Sequence, residues 1–192
     1  MRQGKLRLAL LAASLAACIL AQQPARKAPL AGVSATGPAA GQTSITLYDK
    51  TIAVKYSSPS LKGRKVLGGI VPLKQAWPVG GDFPAAFHTE GDLVFKGVVV
   101  PKGDYSLYLL ADADKWQLII SKQTGQKAKV YDPKMDLGRV PMVLRSAAAP
   151  VEICTVTLSK SAARAARLEL ALQDTIASAP FALDWIPGDP EW

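Results

Sequence analysis

A chain of 192 residues, 49% hydrophobic and 20% charged, is ordinary globular material, with enough apolar side chain for one domain and a real core. Its formal net charge of +8 is gathered at the start, because Arg2, Lys5, Arg7, Arg26 and Lys27 all precede the first acidic residue, Asp49. Without those five the rest carries about +3, too weak and dispersed for a nucleic-acid footprint, so no DNA or RNA partner is expected.

Residues 1–7 hold three positive charges and no negative one, and residues 8–17 are an apolar run of Leu, Ala and one Ser. A basic start before an apolar stretch too short to span a bilayer stably is the pattern of a secretory signal peptide, read as residues 1–17. It ends in Leu15-Ala16-Ala17-Cys18, which resembles the lipobox of bacterial lipoproteins. That resemblance implies that Cys18 becomes the new N-terminus and is acylated, tying the chain to a membrane through more than one acyl chain. Ile19 follows the Cys, where Asp would signal inner-membrane retention, so the resemblance implies the outer membrane in a two-membrane bacterium. An ordinary signal cleaved after Ala21 is the alternative, and would leave a secreted or periplasmic protein.

Residues 18–41 follow as a flexible tether, since the stretch from 22 onward is rich in Ala, Pro, Gly and Gln and has no aromatic residue to bury. The folded domain is expected over residues 42–183. Residues 44–48 and 51–56 are β-rich and joined by a tight turn at Asp49 and Lys50, with Ile52, Val54 and Tyr56 on one face. A long shaped loop runs from Pro59 to Pro84, carrying Lys62, Gly63, Arg64, Lys65, the Gly68-Gly69 pair and Trp77. Residues 83–89 and 93–100 are predicted strands. The turn at Pro101-Lys102-Gly103-Asp104 suits a three-residue hairpin connection into the next strand, 105–110.

Another turn at 112–115 leads to a strand whose inward face is Trp116, Leu118 and Ile120, and a polar loop covers 123–134. A short strand at 140–145 is weakened by Pro141 and so belongs at an edge. In 151–159, Cys154, Val156 and Leu158 share a face; in 167–173, Leu168, Leu170 and Leu172 do. Between them the Ala-rich 161–166 suits a single helical turn. A last strand at 179–183 precedes a surface tail, 184–192. Several short alternating strands separated by turns predict an all-β fold, a single antiparallel β-sandwich or jelly-roll-like domain.

Only two cysteines are present, Cys18 and Cys154, so once Cys18 is lipidated or removed no structural disulfide remains. Cys154 is expected as a buried small hydrophobe.

Several blocks of text then resemble one known family. Val54-Lys55-Tyr56-Ser57-Ser58-Pro59-Ser60, Lys62-Gly63-Arg64-Lys65, Gly68-Gly69, Val71-Pro72 and Trp77 are similar to the opening of the bacterial domain of unknown function 2911. The likeness continues through 100–107, Trp116 with Ile119-Ile120, 122–126 and Tyr131-Asp132-Pro133, covering about residues 43–183. It implies a small exported β domain of unknown activity, with members often found as lipoproteins. There is one departure. After the tryptophan, members of the family usually read Arg, any residue, Gly, Ala, Asn, Glu, whereas this chain has Pro78, Val79, Gly80, Gly81, Asp82 and Phe83.

Candidate chemistry is sparse. Lys62, Arg64 and Lys65 form a basic loop able to hold an anion such as a lipid phosphate or an acidic glycan, because Gly63 allows close approach and Arg offers a fork. The lone histidine, His88, has Asp82, Glu90 and Asp92 near it in sequence, a poor match to any metal-ligand spacing, so no metal or cofactor is expected. Asp112 and Asp114 hold part of a calcium-loop spacing and lack the rest. Trp77 and Tyr108 are the candidates for a sugar-stacking platform. There is no nucleophile elbow, P-loop or dinucleotide fingerprint.

The expectation is therefore an exported, lipid-anchored envelope domain with a non-enzymatic binding or structural role. Its candidate ligand-binding residues are Lys62, Arg64, Lys65, Trp77, Asp82 and His88, and no catalytic residue is assigned. The alternatives are a secreted hydrolase-like enzyme using Asp82 and His88, or a carbohydrate-binding module.

Overall fold

The computed structural model describes residues 40–126 and 130–184. The expected signal peptide, the Cys18 site, the tether up to residue 39 and the tail beyond residue 184 lie outside the described residues.

Alternation builds the strands. In β2 (Lys50–Ser57), Ile52 and Val54 are fully buried while their neighbours are only half-buried, the two-residue period of a sheet with one face in the core. It pairs with β1 (Ala40–Leu47) across a two-residue turn, Tyr48-Asp49, so β1 takes in Ala40 and Gly41, just ahead of the expected domain start. After β3 (Ala76–Pro78) and β4 (Ala85–Thr89) come two three-residue strands, β5 (Leu93–Phe95) and β6 (Val98–Val100). Then follow β7 (Gly103–Asp112), β8 (Lys115–Ser121), β9 (Asp136–Pro141) and the long hairpin of β10 (Val143–Lys160) and β11 (Ala165–Leu183).

These strands form an all-β sandwich of two antiparallel sheets. The larger runs β1-β2-β4-β7-β8-β9, with β3 paired to β7 beyond the end of β4; the smaller runs β10-β11-β5-β6. Ile52, Leu107, Leu109, Leu118 and Ile120 of the first sheet and Cys154, Leu168, Leu170 and Phe181 of the second are all buried in one cluster. Each large side chain so buried is worth about 1.5–3 kcal/mol. Phe87 of β4 meets Phe95 of β5 edge-on at 6.4 Å, and Phe95 packs on Phe181 at 4.9 Å, joining the sheets through aromatic contacts.

Both margins of the sandwich are also joined. At one, the Leu158 amide donates to Thr43 Oγ1 at 3.2 Å. At the other, β9 lies so close to β6 that a Cβ at Gly138 would sit 2.6 Å from Val98 Cγ1, which only glycine avoids.

Four expectations are corrected. The run 93–100 is two strands, because Lys96-Gly97, with Gly97 at φ 78°, turns the chain back on itself and sets Phe95 opposite Val98. Pro101–Asp104 is therefore no hairpin connection; it carries the chain from the smaller sheet to the larger, and the Tyr105 hydroxyl fastens it by donating to the Pro101 carbonyl at 2.8 Å. The stretch 140–145 is split at Met142 between β9 and β10, though β9 does lie at a sheet edge with Pro141 at its end. Residues 161–164 form the hairpin bend between β10 and β11 and not a helical turn, with the Ser161 and Ala162 amides both donating to the Ala165 carbonyl.

Candidate functional site

The segment between β2 and β4 starts with a single antiparallel bridge, Ser60 to Ile153, on the smaller sheet. The Leu61 amide donates to the Glu152 carbonyl at 2.8 Å and the Cys154 amide to the Pro59 carbonyl at 3.2 Å, so residues 59–61 cover part of the edge of β10. Next comes a tight turn in which the Ile70 amide reaches Lys65 O and the Val71 amide reaches Val66 O. Then β3 pairs with β7, and the Val79 amide donates to Leu107 O at 3.2 Å. Leu61, Val66, Val71 and Val79 are buried anchors along the way. A stretch that composition marks only as loop is thus pinned to both sheets.

This path borders an open cleft of about 520 Å³, within the ~300–1,000 Å³ of small-molecule sites. Pro59 and Ser60 line it from the β10 side, Gly69 and Ile70 from the tight turn, and Trp77, Gly80 and Gly81 from the segment after β3 begins. Gly80, at φ 109°, has backbone so close to Ser57 that a Cβ would stand 3.0 Å from the Ser57 nitrogen. No other residue fits there without strain.

The two charged side chains lining the cleft are Arg64 and Asp82. Both are exposed, they do not pair with each other, and neither makes a side-chain hydrogen bond or ion pair among the described residues. The concavity is thus lined by one charge of each sign, both left to solvent.

Of the other expected site residues, Trp77 lines the cleft but is only 5% exposed, and Tyr108 is fully buried, so the two form no open stacking platform. Tyr108 is covered by the loop after β8, where Gln126 Nε2 donates to its hydroxyl at 2.7 Å and the Tyr131 ring lies 4.8 Å away. Burial, then the hydrogen bond to Asp136, pushes Tyr131 up to about 12. Lys62 reaches Glu152 at 3.6 Å on the surface, and Lys65, also exposed, does not line the cleft.

His88 is elsewhere. It lies opposite Asp104 on the paired strands β4 and β7, its Nδ1 2.7 Å from Asp104 Oδ1, in a shallow depression with Lys50, Glu90 and Lys102. Asp82 is not among the residues of that depression. Among the described residues no group of three His, Cys, Asp or Glu side chains is placed to hold a metal.

Cys154 is free and fully buried, and burial pushes its thiol up to about 12, with the Gly80 backbone a smaller opposing influence.

Residues 38–181 match the model of the family described as "Protein of unknown function (DUF2911)". The chain belongs to this family. No curated protein and no solved structure matches it. Residues 78–83 supply Gly80, Gly81 and Asp82 to the cleft.

Sequence reasoning singled out Arg64, Trp77 and Asp82 separately, and folding brings them together. It missed Pro59, Ser60 and Ile70 as lining residues. The available signal was the pairs Gly68-Gly69 and Gly80-Gly81, both in segments where the backbone turns sharply beside the cleft.

Proposed function

We propose that this chain is an exported, lipid-anchored envelope domain that binds a ligand, without chemistry, in the cleft between Arg64 and Asp82. The observation that carries the reading is the pair of unpartnered, opposite charges lining one glycine-floored cleft of ligand size. Export and anchoring are supported by the basic and apolar N-terminus and the Leu15–Cys18 text. The partners on this reading are the membrane, through acylated Cys18, and an envelope ligand; the location is the periplasmic face of the outer membrane or the cell surface. The hydrolase alternative loses support because His88 and Asp82 line separate depressions, too little to assemble an acid, a base and a nucleophile.

The full chain, expressed in a two-membrane bacterium fed labelled fatty acid, is expected to take up label and to fractionate with the outer membrane; Cys18→Ser should do neither. Unlabelled wild type would overturn the anchor. For binding, the melting temperature of the purified chain is followed against envelope glycans, anionic headgroups, amino acids and short peptides. At least one should raise it, and Arg64→Ala should abolish the rise. Silence across the whole panel would overturn the binding reading.

A further inference from the structure

The charges in the cleft carry the reading one step further, to the class of ligand, and this step rests on the binding function proposed above. Arg64 supplies a guanidinium suited to a carboxylate and Asp82 a carboxylate suited to an ammonium. They line the same cleft yet are not in contact with each other, so a molecule can enter between them. An anion alone would gain Arg64 and be repelled by Asp82; a cation would meet the reverse. A neutral sugar could hydrogen-bond both groups through its hydroxyls but would bring no charge to either. The ligand that pairs both groups carries one charge of each sign at opposite ends. Pro59, Ile70 and the little of Trp77 that is exposed add apolar lining to the same cleft, and Gly80 and Gly81 contribute backbone without side chains.

We propose that the cleft takes a small zwitterion, an amino acid or short peptide, with its carboxylate on Arg64 and its ammonium on Asp82. Volume favours a short peptide within this class: about 520 Å³ exceeds what a single amino acid fills, and the lack of a direct ion pair leaves room for termini set apart.

Titration calorimetry on the full chain tests this with five probes: leucyl-alanine, free leucine, the N-acetylated dipeptide, the C-terminally amidated dipeptide, and acetate. The uncapped dipeptide should bind at least tenfold more tightly than either capped form and than acetate, with free leucine distinguishing an amino-acid site from a peptide site. Arg64→Gln and Asp82→Asn should each weaken the dipeptide more than tenfold, and Asp82→Asn should erase the preference over the acetylated form. Both side chains are exposed and unpartnered, so unchanged melting of the variants checks that folding is intact. Equal binding of capped and uncapped peptides overturns the zwitterion. If the zwitterions are silent while acetate or a glycan binds in an Arg64-dependent way, the ligand class is wrong and the cleft reading survives. Silence of every probe and of the wider panel removes both.

Discussion

At the scale of single residues, Cys154 shows how burial decides chemistry. A thiol held neutral up to about pH 12 is neither nucleophile nor metal ligand, which is why the only cysteine of the folded region belongs to the core. The shift also links stability to pH. The folded state holds the thiol proton more tightly than the unfolded chain, so the contribution is complete below the ordinary value of 9 and is lost as pH rises from 9 toward 12. The loss grows through that interval, to on the order of a few kcal/mol at its upper end. Tyr105, Tyr108 and Tyr131 are also raised by burial, but from 10, so the interval from pH 8 to about 9.5 belongs mainly to the thiol. Urea midpoints of wild type should fall across that interval, while those of Cys154→Ala, lower to begin with, should stay nearly level. Parallel declines in the two proteins would show that the thiol is not responsible. The burial itself was legible, because Cys154, Val156 and Leu158 share one phase of an alternating run.

Among the elements, legibility followed periodicity and ended where contacts come from far along the chain. β2, β8 and the inward Leu168, Leu170 and Leu172 of β11 are where alternation puts them. β5 and β6 read as one strand because Leu93–Phe95 and Val98–Val100 are both apolar and only Lys96-Gly97 interrupts them. β3 was hidden since three residues carry too little pattern, and its pairing with β7 is a tertiary fact. The crossing at Pro101–Asp104 has the turn residues of a hairpin and a different role, locked by the Tyr105 hydroxyl on Pro101 O and by the Lys102 amide on Asp92 Oδ1 at 2.7 Å. A tyrosine hydroxyl bonded to backbone a few residues upstream recurs at sheet-to-sheet corners of other sandwiches. Tyr105→Phe keeps the ring against Phe87 and removes only this bond, so urea denaturation should register a loss of about 1 kcal/mol. A change within error would mean that the crossing is held by its turn alone.

For the molecule as a whole, the cleft exists because one segment is fastened to two sheets. Arg64 and Asp82, eighteen positions apart, come together because residues 59–61 join the edge of β10 while β3 and Val79 join β7. Composition could mark both residues as candidates; nothing local could say that they share a concavity while Lys62, Lys65 and His88 do not. The same fastening makes the sheets thermodynamically inseparable, because neither can leave without exposing the inner face of the other and tearing Leu61, Val71 and Val79 from their places. Substitutions on opposite sheets should therefore act on a single transition. Leu118→Ala on β8 and Leu168→Ala on β11 each empty a fully packed position and should each cost about 2–5 kcal/mol. In both variants, urea transitions followed by far-ultraviolet circular dichroism and by tryptophan fluorescence should coincide and shift together. With Trp185 and Trp192 replaced by Phe, the remaining Trp77 and Trp116 both belong to the larger sheet, so separate melting of the smaller sheet would appear in Leu168→Ala as a dichroism change preceding the fluorescence change. Such a split would mean that the sheets unfold independently and that the cleft between their attachments is not held by a common core.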